Sequence, residues 1–143
     1  MKKFVYKFDS ILKVKDNIKK QAMKEVAEVG KEIENRLIKK ESLLAELNDV
    51  KQNSKRTTMK VSELQFIESH IYSLNKKIQM IDNELVKLRY LLKMKQSVLL
   101  EKTKESKIFQ KLKETKFMQH KVEENKEELK MLDEIAIQKS SRQ

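Results

Sequence analysis

From Ser62 to Leu92 the apolar residues fall at Leu64, Ile67, Ile71, Leu74, Ile78, Ile81, Leu85, Leu88 and Leu92, in alternating steps of three and four. A 3.5-residue repeat sustained over this length predicts a helix with one narrow apolar seam, wound left-handed about a partner helix. An earlier stripe supplies that partner: Ile11, Val14, Ile18, Ala22, Val26, Val29, Ile33 and Leu37, then Leu44 and Leu47. It contains eleven-residue spacing, from Ala22 through Ile33 to Leu44, which straightens the supercoil. Between the two stripes the polar stretch KQNSKRTTMKV loses the period.

A short break between two apolar helices predicts an antiparallel hairpin. The expected fold class is all-α: two long helices in one coiled-coil hairpin domain, the second extending beyond the first. The pattern puts helix 1 at about residues 10–51, the loop at about 52–61 and helix 2 at about 62–138. Ser62 is placed to cap helix 2, with Gln65 completing a capping box and Val61 stapled to Phe66. Asp9 or Ser10 can cap helix 1. The cap and the loop length favour a register in which facing residue numbers add to about 114. Leu47 then faces Ile67, Ile33 faces Ile81, Val29 faces Leu85 and Ala22 faces Leu92. A slip of one heptad matches several of these pairs, so the stripe alone does not fix the register. On the favoured register helix 1 covers helix 2 to about residue 103, leaving a helical extension over about residues 104–138 without an intramolecular partner.

Composition agrees with a rod rather than a globule. The 143 residues include one Gly, no Pro and no Cys, so the usual turn residues are almost missing; charged and hydrophobic residues are each 38%. One Gly cannot build a phosphate-cradling loop. His70 and His120 lack metal-ligand spacing, and Glu123, Glu124, Glu127 and Glu128 read as a solvated helix face beside Lys126 and Lys130. No enzyme activity, cofactor or metal is expected. The N-terminal MKKFVYKFDS lacks a sustained apolar region after its lysines, and no apolar run approaches a membrane span, so a cytoplasmic location is expected.

Lys and Arg number 33 against 22 Asp and Glu, a net charge of +11, which suits acidic partners. Residues 1–24 and 87–111 each carry eight basic and two acidic side chains, and the favoured register would bring them together at the open end of the hairpin. The loop adds Lys51, Lys55, Arg56 and Lys60. No zinc finger, helix-turn-helix or aromatic RNA-binding motif is present, so nucleic acid is not an expected partner. A basic nucleic-acid-binding coiled coil, or a scaffold protein, remains the rival reading. Salt-sensitive DNA binding at physiological salt would favour it.

Three stretches in order, FVYKFDSILKVKD, LQFIESHIYSL and EELKMLDEIAIQK, resemble the flagellar export protein FliJ family across essentially the whole chain. The resemblance implies a stalk-like, chaperone-like adaptor of the flagellar type III export apparatus, and so a part in flagellum biogenesis and chemotaxis. Its implied partners are the export ATPase hexamer, the cytoplasmic ring of the membrane export gate and export chaperones. Such a protein would be cytoplasmic and would associate peripherally with the inner face of the cell membrane through those partners. The equivalent stalk of an injectisome shares the shape and stays open as an alternative. Phe66 and Ile67 match a Phe-Ile pair of the family's gate-binding surface, and Leu74 matches a following apolar position; neighbouring Tyr72 joins them as a candidate. His70 stands where some relatives have Leu. On the basic open end, Lys13, Lys20, Arg89 and Lys93 are the candidates for the ATPase.

Overall fold

A computed structural model describes residues 3–55 and 58–142. Helix α1 runs Asp9–Asn53 and helix α2 runs Val61–Ser141, packed against each other with no strand among the described residues. The second helix is the longer, as the pattern requires. Arg56 of the basic loop and Lys2 of the basic N-terminal segment lie outside the described residues.

Both helices begin differently from expectation. The Phe8 carbonyl accepts the Leu12 N–H at 2.9 Å, so Phe8 holds the cap position and Asp9 and Ser10 are already helical. Asp9 stands in the first turn, where a carboxylate complements the helix dipole. At α2 the Lys60 carbonyl accepts the Leu64 N–H at 3.1 Å, which puts Val61 and Ser62 inside the helix. The staple is not formed: Val61 and Phe66 are 72% and 73% exposed. The end of α1 is tied down by the Ser54 hydroxyl, which donates to the Lys51 carbonyl at 2.7 Å.

Contacts divide the chain into two units. The loop unit comprises Ala22–Leu99. Its apolar cover is the seam: Ala22, Val29 and Leu47 of α1, and Leu74, Ile81 and Leu85 of α2, are buried. Three interhelical ion pairs mark the register: Lys40 with Asp82 and Arg36 with Glu84 each at 2.6 Å, and Glu25 with Lys95 at 3.3 Å. In these three the residue numbers add to about 121, one heptad beyond the expected register, whereas beside the turn the His70 ring reaches Glu46 at 3.4 Å, closer to the expected offset. Leu47 is thus level with Leu74, Ile33 with Leu88 and Val29 with Leu92. The apolar stripe is indifferent to such a slide, but the charges are not. The expected register would set Glu32 level with Asp82, whereas the observed one gives Asp82 Lys40. The slide also carries the first residues of α2 past the end of α1, and Leu64, a seam residue by sequence, is exposed.

The terminal unit comprises the residues up to Gln21 and those from Leu100 onward. Lys15 pairs with Glu105 at 3.2 Å and Asp9 with Lys113 at 2.9 Å, holding the start of α1 against α2. Ahead of α1 the non-helical residues 3–8 continue along α2. The Tyr6 ring is buried and its hydroxyl donates to the Phe109 carbonyl at 3.2 Å. Phe4 meets Phe117 edge-on at 5.2 Å and lies tilted against His120 at 5.5 Å. The expected unpartnered extension over 104–138 is therefore corrected. The heptad slide and the FVYKF aromatics cover α2 as far as His120, and it is residues 125–142 that are exposed throughout. Ser106, 1% exposed, occupies a seam position with its hydroxyl unpartnered.

Two outcomes test this packing. Cysteines at Val29 and Leu92 should be joined within one monomer by a short thiol crosslinker, and cysteines at Val29 and Leu85 should react poorly; the reverse would restore the other register. Ser106→Ala removes a buried hydroxyl that lacks a partner. It should raise the unfolding free energy by about 1 kcal/mol in urea titrations followed by circular dichroism.

Candidate partner-binding surfaces

A helix in a two-helix seam shows a partner whatever the seam does not use. Phe66 follows Leu64 and precedes Ile67 on α2, off the seam line, and stays 73% exposed. Its ring lies 6.3 Å from that of His70 one turn on, and His70 in turn reaches Glu46 of α1. A shallow groove beside Phe66 is lined by Asn53, Met59, Ser62, Glu63 and Ile67. Leu74 is 1% exposed and packs in the seam, and Ile67 is half-buried. Tyr72 is 69% exposed, but six residues from Phe66 it points about 120° away around the helix. The four gate candidates thus share one stretch of α2 but not one face. Phe66 with His70 forms one surface, Tyr72 forms another, and Leu74 supports both from inside.

The basic candidates separate as well. Lys13 and Lys20 stand in the terminal unit, each tethered to an acid one turn earlier: Lys13 to Asp9 at 3.6 Å and Lys20 to Asp16 at 3.4 Å. Arg89 and Lys93 are exposed in the loop unit. The observed register sets them level with Glu32 and Glu28 of α1, while of the expected basic pairing between residues 1–24 and 87–111 the part from residue 100 onward shares a unit with the N-terminal segment.

Arg89 and Lys93 border a surface that the heptad pattern does not mark. Val86, Tyr90, Met94 and Val98 are exposed at four-residue intervals, a ridge along α2. Tyr90 points about 200° from Leu88 and Leu92, away from α1. The legible signal was an apolar series running at four-residue steps beside the heptad. A second missed surface is the N-terminal segment, whose Phe4 and Tyr6 have no period to betray them.

Two carboxylates of the terminal unit are held below their ordinary range. A hydrogen bond from the Lys113 ammonium is the main cause for Asp9, and one from Lys15 for Glu105, with Lys13 and Lys102 adding to each. Among the described residues no three His, Cys, Asp or Glu side chains gather as a metal site, and no helix is long and apolar enough to cross a membrane.

A family model, described as the flagellar FliJ protein, matches residues 3–143. The chain belongs to the FliJ family. Neither the comparison with curated proteins nor that with solved structures gives a significant match. FliJ proteins are non-catalytic components of flagellar protein export, and this chain is export-related accordingly.

The carboxylate shifts give a pH dependence with a defined sign. A folded pKa lowered below the unfolded one contributes stability above the unfolded value and loses it as pH falls through the folded value. Docking of residues 3–15 on α2 should therefore weaken as pH drops below about 4. Amide hydrogen exchange over that segment is the measurement. Asp9→Asn should loosen the same amides at neutral pH.

Proposed function

We propose that this protein is a non-enzymatic adaptor that engages the export ATPase and couples it to the cytoplasmic ring of the export gate. The family match over residues 3–143 carries this reading. The exposure of Phe66 supports the gate half: a large aromatic ring in water beside a groove is a ready anchor, and such anchors dominate the energetics of interfaces. Lys13 and Lys20 in the terminal unit, and Arg89 and Lys93 in the loop unit, are the proposed contacts to an acidic ATPase surface. Any association with the membrane or with export chaperones follows from these partners rather than from an anchor in the described residues.

The test is a pair of titrations on Phe66→Ala. Because Phe66 is 73% exposed, the variant should fold normally. Loss of an aromatic anchor costs about 2 kcal/mol, so affinity for the gate ring should fall roughly thirtyfold. Stimulation of the cognate ATPase should persist, and should fall instead on charge reversal at Lys13 and Lys20. Equal gate affinity for wild type and Phe66→Ala would refute the assignment of Phe66.

A further inference from the structure

The last part of α2 is an acidic stretch in a basic chain. Residues 122–137 hold six carboxylates and two lysines, a net of −4, in a protein whose total is +11. Val122, Leu129 and Leu132 line one side of this helix and are exposed, with nothing laid over them from residue 125 onward. Glu128 borders that apolar side on one flank and Asp133 on the other, by the angular spacing of an α-helix. A bare amphipathic helix of this kind is marginal alone in water and gains most by covering its apolar side.

The ridge Val86–Tyr90–Met94–Val98 is its complement in the same chain. It too is apolar, exposed and helical. Over residues 86–98 the charged side chains are Lys87, Arg89, Lys93 and Lys95, a net of +4 with no acid. Lys95 is committed to Glu25, but Lys87, Arg89 and Lys93 are exposed beside the ridge. Each surface thus offers the apolar area and the charge that the other lacks.

We infer that the acidic end of α2 docks on the basic ridge of a second copy of this chain. Both surfaces stand on the single helix Val61–Ser141, and the residues between them contain neither Gly nor Pro. Docking fills the apolar ridge with Leu129 and Leu132 and sets Glu128 and Asp133 beside Arg89 and Lys93. Charge pairing steers such an encounter and makes it sensitive to salt. The inference does not rest on the export ATPase or the gate. It concerns the purified chain alone, although Arg89 and Lys93 would be shared if both hold, and self-association would then compete with the ATPase.

Sedimentation equilibrium of the full chain over a range of concentrations tests it. Wild type should associate reversibly with a dissociation constant of about 10 μM at low salt, weakening at least tenfold in about 0.5 M salt. Leu129→Ser with Leu132→Ser should weaken association at least tenfold, and so should Arg89→Glu with Lys93→Glu. Both pairs are exposed, so helicity and Tm should hold, and circular dichroism checks that they do. The decisive arm mixes the two variants. Each keeps the half that the other has lost, and the mixture should associate where neither does alone. A wild type that stays monomeric at about 100 μM would overturn the inference. So would a mixture that stays monomeric, or association abolished by the tail variant but untouched by the ridge variant, which would mean that two tails meet each other. Binding of the ridge to anionic vesicles without self-association would assign it to a lipid surface instead.

Discussion

Each helix has one neighbour to lie against, and that contact fixes almost everything else about the molecule. A side chain in a globular core is covered from many directions; here it is covered only by standing on the seam. Leu74 and Leu85 do, and are 1% and 2% exposed. Tyr90 and Met94, on the far side of the same helix, are in water. With so narrow a contact, sliding one helix along the other by seven residues preserves the apolar match while moving every charge to a new neighbour. Bridges such as Lys40–Asp82 and Arg36–Glu84, half-exposed and individually worth well under 1 kcal/mol, can then decide between registers whose apolar energies are nearly equal.

The helices were legible because a 3.5-residue period is a local property: Leu64 through Leu92 declare a seam whatever lies opposite. The register was not legible, because a repeat that matches itself after seven residues contains no mark of where it starts. From that one ambiguity came the misplaced end of the covered region. Phe66 could be read as off-seam from spacing alone, and its exposure agrees. Tyr6 and Phe4 could not be placed, since they precede the helix and have no periodic partner; only the structure shows them lying on α2. Ser106 read as a failure of the heptad, yet it is among the best buried residues of the chain, a small side chain where the helices leave little room.

The same narrowness suits an adaptor. The residues excluded from the seam are the ones another protein can touch. Phe66, Tyr72 and the ridge through Tyr90 face different directions around α2, so separate partners can be met from one helix without disturbing Leu74 or Leu85 inside it. Leu74 then belongs to every such surface indirectly, by holding the helix in place.

The Tyr6 hydroxyl and the Phe109 carbonyl are separated by 103 residues of chain, whereas Glu46 and His70 lie close in sequence. Closing a long loop carries a larger entropy cost than closing a short one, so contacts beside the turn can form first and the terminal contacts only after the intervening chain is ordered. During synthesis the order is stricter still, because Phe4 and Tyr6 emerge early and must wait for residues 109–120 to be made. The aromatic segment that begins the chain is thus among the last parts of the molecule to find its place, and for that interval its rings are open to any other surface that will take them.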